Sequence, residues 1–275
     1  MPRKTSKAPP PQREHLNLLP IVKAYPVVDP KYGEAVCVAA LTTDVPRRWI
    51  RLFPLDFRNL DFSQQFGKYQ HISVDAFRAK GDHRPESYTP VLDTIKLGTS
   101  IGTDRGTWAR RVELCEPLIL PSMCELQRRQ VADGASLGMF RPGKVRDVVV
   151  EPAKGITGKQ QAALDQGSLF NRTTGKLERI PWKFKYAYTC SEKGCPTHTQ
   201  GIIDWELGAL YLKLRNARAT EDQIKAKIRA KFLSDLCGPE RDPIFIAGNL
   251  VKYPTSFMIL GVVYPNRGPV QKSLF

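Results

Sequence analysis

The chain has 275 residues, 41% of them hydrophobic, enough to bury one large core or two ordinary ones. Lysine and arginine total 42 against 27 acidic residues, and the net charge of +15 favours a polyanionic partner, of which nucleic acid is the commonest. No apolar run approaches the ~18 residues needed to span a bilayer, and the first residues hold no signal-peptide core, so a cytoplasmic protein without a membrane role is expected.

The cationic excess is spread along the chain, with +4 in residues 1–50, +4 in 151–200 and +3 in 251–275, so the folded parts are basic. Six cysteines are too few and too scattered for a disulfide framework; in a reducing compartment they are thiols or metal ligands.

Residues 1–15 carry four prolines, four basic residues and little to bury, and read as a flexible basic arm. From 16 to 150 short apolar runs at 21–25, 35–41, 49–53, 68–78 and 95–97 alternate with turn-type clusters, which predicts a small twisted barrel. In the third run Trp49, Arg51 and Phe53 share one face and Ile50 and Leu52 the other. The loop 80–88 gathers Asp82, His83, Arg84 and Glu86, an acid–base or metal candidate together with His71. Ser122 with Glu125 fits a capping box for a helix ending near Asp133 and Gly134. Pro142-Gly143 is expected to turn a hairpin between 137–140 and 145–150.

The run KYGEAVCVAAL (31–41) followed by RRWIRLFPLDFR (47–58) resembles the opening of uncharacterised bacterial proteins built from OB-like barrel modules. That resemblance implies that Arg47, Arg48, Trp49, Arg51 and Arg58 lie on a nucleic-acid face, guanidinium groups holding phosphates while an aromatic surface stacks a base.

Residues 151–181 are a linker, with a short helix predicted around 159–165. A second, α+β domain spans 182–270 and opens with an alternating strand. In it Trp182, Phe184, Tyr186 and Tyr188 fall at one parity and Lys183 and Lys185 at the other. Trp182, Lys183, Phe184 and Lys185 are therefore further candidates for stacking and phosphate contacts. The strand leads into Cys190-x4-Cys195-x2-His198, three potential ligands of a zinc ion, with Cys237 as the expected fourth and Asp204 or His71 as alternatives. Asp204 caps a helix reaching about Asn216, and Thr220 with Gln223 caps another that Gly238-Pro239 ends. Asp204 and Glu206 also allow a nuclease reading in which carboxylates hold magnesium.

Residues 271–275, QKSLF, resemble the pentapeptide by which bacterial DNA-processing proteins dock on the replication sliding clamp. The resemblance gives Gln271 a polar contact at the rim and places Leu274 and Phe275 in an apolar pocket; QGSLF at 166–170 repeats the pattern. The expectation is an α+β protein, an OB-like amino-terminal domain followed by a mixed strand-and-helix domain, that binds nucleic acid, DNA above all, and carries a structural zinc loop. DNA metabolism, mobile-element or defence processes are its expected setting. Alternatives are a metal-dependent nuclease or base-processing enzyme, and an adaptor docking on the clamp.

Overall fold

A computed structural model describes residues 12–29, 33–155, 157–159, 162 and 177–267. The amino-terminal unit consists of β1 (Arg13–Lys23), β2 (Val27–Asp29), β3 (Gly33–Thr42), β4 (Trp49–Leu55), β5 (Gln70–Arg78), β6 (Ser87–Pro90) and β7 (Lys96–Ser100). Its strand order is β1-β3-β4-β6-β5, and β5 returns to pair with β1 from Arg13↔Phe77 to Leu18↔Ile72, closing a five-stranded barrel. Every pairing in the ring is antiparallel except β4 with β6. A closed five-stranded barrel with that crossover is of the OB type.

The alternation read from sequence fills this barrel: Leu16 and Leu18, Val36 and Val38, Ile50 and Leu52, Ile72 and Val74 all point inward. Phe57 and Phe66, from the connection between β4 and β5, pack edge-on at 5.1 Å and add to the same core. The outer face of β1 and β3 is also apolar. Leu19, Ile21, Ala39 and Leu41 pack against Leu137, Met139, Ile244 and Ile246 of the carboxy-terminal unit. Burying both faces of these strands fuses the two units over a hydrophobic seam.

The rest of the chain holds α1 (Ala109–Cys115), β8 (Ile119–Leu120), α2 (Met123–Asp133), β9 (Leu137–Phe140), β10 (Lys144–Pro152), β11 (Trp182–Thr189) and β12 (His198–Gly201). After these come α3 (Trp205–Asn216), α4 (Glu221–Arg229) with a π-helical continuation at Ala230–Asp235, β13 (Ile244–Leu250) and β14 (Tyr253–Val263). They form a sheet β14-β13-β9-β8 and a second sheet β10-β11-β12. The fold is α+β, as the alternation and caps imply.

Three features differ from the sequence reading. Residues 119–152, assigned there mostly to the first unit, pair instead with carboxy-terminal strands, because β9 needs β13 and β10 needs β11 to bury their apolar sides. Pro142-Gly143 consequently joins strands of two different sheets and closes no hairpin between 137–140 and 145–150. Helix α1, short and without a side-chain cap, had no sequence signal. By contrast Ser122, Asp204 and Thr220 all cap their helices, and Thr220 with Gln223 closes the full box.

Candidate metal centre and interdomain clefts

Cys190 directly follows β11, Cys195 follows the turn at Gly194 (φ +77°), and His198 begins β12. The turn needs the left-handed backbone that glycine adopts without a Cβ clash. Pairing of Tyr188 with His198 across β11 and β12 then folds the loop back on itself. The fourth group of the cluster is Cys124, in the first turn of α2. The ligand atoms of Cys124, Cys190, Cys195 and His198 all lie within 4.8 Å of one another and can hold a metal ion. Cys124 Sγ is 3.6 Å from Cys195 Sγ and 3.5 Å from His198 Nε2, and Cys195 Sγ is 3.2 Å from that nitrogen.

This cluster corrects the expected ligand set. Cys237 lies elsewhere, with its sulfur 3.9 Å from the Tyr186 hydroxyl, and neither Asp204 nor His71 belongs to the group. Cys124 was the missed ligand. Its only sequence signal is its place two residues after the Ser122 cap, where the positive end of a helix favours a thiolate.

The surroundings hold the loop against α2. Ser122 accepts the Glu125 N–H at 2.9 Å and donates its hydroxyl to Glu192 at 2.6 Å. Arg128 grips Glu192 with two hydrogen bonds and Glu125 with a third. Hydrogen bonds from Arg128 and Ser122 push the Glu192 carboxyl down to about 2. The backbone N–H of Met123 points at Cys190 Sγ, 3.3 Å away. Burial pushes the Cys124 thiol up to about 12, raises that of Cys190 and lowers His198. His198 is thus a neutral imidazole with a lone pair to donate, while the buried thiols need a cation beside them to ionise.

Gly143 sits directly over this loop: a Cβ there would come within 2.6 Å of the Cys190 carbonyl carbon. We expect Gly143→Ala to lower stability by about 1–3 kcal/mol through overpacking and to speed metal loss to a chelator, read by a colorimetric indicator. Unchanged melting and unchanged metal retention would show that the turn can move away.

The strand residues expected to touch nucleic acid divide sharply. Phe184, Tyr186 and Tyr188 are core residues, and Tyr186 and Tyr188 pack on Phe245. The aromatic face of β11 is thus the dry one, and Phe184 cannot stack a base. Trp182 is half-buried, edge-on to Tyr211 at 6.1 Å with Lys225 over its ring at 4.6 Å. Lys183 is exposed, and Lys185 pairs with Glu151 at 2.6 Å.

On β4, Arg51 is 3% exposed and corrects the expectation of a phosphate contact. It donates to the Ser136 carbonyl at 2.9 Å and to the Ser136 hydroxyl at 3.0 Å, across the seam between units. Trp49 is half-buried at the same seam. Arg48 donates to Tyr88 at 2.9 Å and lies 3.6 Å from Glu14, Arg58 pairs with Glu34 at 2.8 Å, and Arg47 lines a small cavity with His71. The carboxy-terminal unit thus covers Arg51 and packs on Trp49, while Arg48 stays half-exposed on the barrel.

Asp204 accepts the Glu206 N–H at 2.9 Å, so it is a helix cap. Both carboxylates also meet Lys68, Asp204 at 3.6 Å and Glu206 at 2.7 Å. Burial lifts Asp204 to about 6 against the pull of Lys68. A lysine between them occupies the place a magnesium ion would take in the nuclease reading. Near by, a groove of about 730 Å³ runs along β11 and β12, with Lys154, Arg179, Lys183 and Lys185 on its lining and Trp182, Leu250, Phe257 and Met258 supplying apolar surface. Lys154, Arg179 and Lys183 make no ion pair among the described residues. The peptides at 166–170 and 271–275, with Gln271, Leu274 and Phe275, lie outside the described residues, as does most of the helix expected at 159–165.

Residues 120–275, more than half of the chain, match the domain of unknown function DUF8757. The chain belongs to that family. Residues 14–117 match a second domain of unknown function, DUF8758, and the two spans divide the chain where β8 begins. No curated protein matches. Among solved structures, a replication protein A heterotrimer bound to ssDNA aligns with 94% of this chain and 67% of its own at 8% identity and a TM-score of 0.26. No helix among the described residues is long and apolar enough to cross a membrane.

Proposed function

We propose that the protein binds single-stranded nucleic acid along the groove beside β11 and β12, on a scaffold locked by a structural zinc ion. The observation that carries this reading is the groove itself: Lys154, Arg179 and Lys183, which make no ion pair among the described residues, stand along an apolar floor that includes Trp182. Such a groove holds the phosphates of a strand while its bases meet the aromatic surface. The net charge of +15 supplies long-range attraction for the same partner.

Zinc is favoured by the donor set. Three sulfurs and one imidazole suit a soft-to-borderline ion in tetrahedral array. With Zn–S about 2.3 Å and Zn–N about 2.0–2.1 Å, tetrahedral geometry puts sulfurs about 3.8 Å apart and sulfur about 3.6 Å from nitrogen. The observed separations of 3.6 Å and 3.5 Å for Cys124 come close to these. Four protein ligands leave no open position for water, which supports a structural role over a catalytic one. Zinc when bound would keep the sulfurs ionised and tie β11, β12 and α2 together.

Binding should fall steeply with salt, and Arg179→Glu with Lys183→Glu should flatten a plot of log affinity against log salt by about 1.4, the loss of two phosphate contacts on a single strand. Fluorescence anisotropy with a labelled oligonucleotide measures both. An unchanged slope in the double variant would remove this groove from the interface.

A further inference from the structure

The end of β1 and the start of α3 meet where the two units join, with the Tyr25 N–H bonded to the Ile203 carbonyl at 2.7 Å. Asp204 lines the groove described above. Trp205 and Glu206, the next two residues, line a separate cleft of about 320 Å³. Its walls bring together Lys23, Lys68 and Arg111 with the rings of Tyr69, Trp108, Trp205 and Tyr264.

Lys68 is satisfied by Asp204 and Glu206, but Lys23 and Arg111 make no ion pair among the described residues. Lys23 donates to the Phe66 carbonyl at 3.0 Å and lies 4.1 Å from the Phe57 ring centre and 5.3 Å from that of Trp205. Burial and the neighbouring Lys68 lower it to about 8 against the opposing pull of Glu206. Arg111 lies over Tyr69 at 3.9 Å and over Trp108 at 4.7 Å, with Nε and one terminal nitrogen turned to the Ile101 carbonyl.

The backbone is bent to make this arrangement. Tyr69 has φ 61° and Trp108 φ 57°, left-handed conformations that bulky side chains avoid. Both rings lie under Arg111. Such strain persists where the surroundings enforce it, and it clusters at ligand sites. A desolvated guanidinium fixed on two rings, a lysine with no ion pair among the described residues and Thr103 in the same wall form a receptor for an anion beside a flat surface.

We propose that this cleft binds the phosphate of a nucleotide between Lys23 and Arg111, with the sugar and base against Trp205 and Tyr264. Glu206, half-exposed at the rim, is then an acceptor for a sugar hydroxyl or base amino group. The nucleotide is either free or the phosphorylated end of a strand lying in the adjoining groove. The ligand's identity rests on the nucleic-acid reading above; the unpaired cations do not.

The test uses the full chain, titrated with AMP, adenosine and inorganic phosphate while tryptophan fluorescence is followed, with calorimetry in parallel. AMP should bind saturably, and adenosine, lacking the phosphate, about tenfold more weakly or worse. Arg111→Gln and Lys23→Met should each weaken AMP by about tenfold, with circular dichroism confirming the fold; should either variant unfold, the AMP-to-adenosine ratio on the wild type still decides. A 5′-phosphorylated oligonucleotide should outbind its 5′-hydroxyl counterpart if the strand end is the source, whereas equal binding with retained AMP affinity assigns the cleft to free nucleotide. If AMP and adenosine bind alike, or neither binds, the pocket proposal is overturned. Should the 5′-hydroxyl oligonucleotide still bind in that case, the groove reading survives; should AMP bind but no oligonucleotide, only the groove reading fails.

Discussion

Replacing Cys124 by serine is expected to release the zinc ion and lower stability by about 3 kcal/mol or more, a fall on the order of 10 °C in Tm. Cys237→Ser should leave the metal in place, since that sulfur lies outside the cluster. The difference between these variants separates the centre seen here from the one expected from spacing alone. Without the ion, α2 would be held to the loop between β11 and β12 by hydrogen bonds alone, among them those of Glu192 with Ser122 and Arg128 and of the Met123 N–H with Cys190. Elemental analysis should find about one zinc per chain in the wild type and in Cys237→Ser, and none in Cys124→Ser. Retention of metal by Cys124→Ser at full stoichiometry would refute the four-ligand centre.

Arg51→Ala should destabilise the protein by about 1–3 kcal/mol, because it takes the guanidinium donor away from the buried Ser136 carbonyl. The Glu86 carboxylate accepts the Ser136 N–H at 3.0 Å and the Ser136 hydroxyl at 2.7 Å, while Arg51 reaches the same serine from the other side. Arg51 and Glu86 thus meet through Ser136, and without Arg51 the serine hydroxyl keeps only its bond to Glu86. A double-mutant cycle with Glu86→Gln, by chemical denaturation, measures how far the two residues are coupled through Ser136. A loss below about 0.5 kcal/mol would be the behaviour of a solvated surface arginine and would contradict the buried assignment.

The barrel was legible because period-two alternation sorts residues by face: Ile50 and Leu52 went to one side, Trp49 and Arg51 to the other, and the structure keeps that division. Alternation says that two faces differ and leaves open which one is wet. On β11 the aromatic side became core, while on β4 the side with Arg51 was covered by a unit whose approach no local pattern announces. Helix starts were legible from Ser122, Asp204 and Thr220 because a cap is a local hydrogen bond. Three metal ligands were legible for the same reason, crowded into one loop.

Cys124 was not, standing 71 residues from Cys195 in a different element. The cleft of Lys23, Lys68 and Arg111 was equally hidden: its members come from three separate segments, and each alone reads as ordinary surface charge. Tertiary packing assembles both sites, and spacing along the chain cannot encode it.

The central claim is that single-stranded nucleic acid lies along the groove beside β11 and β12. Photo-crosslinking the wild-type protein to a 5-iodouracil oligonucleotide, with the modified residues mapped by mass spectrometry, tests it most directly. The account predicts crosslinks at Trp182 in the groove, lost as salt is raised. Crosslinks confined to other surfaces of the barrel, or none at low salt, would contradict it.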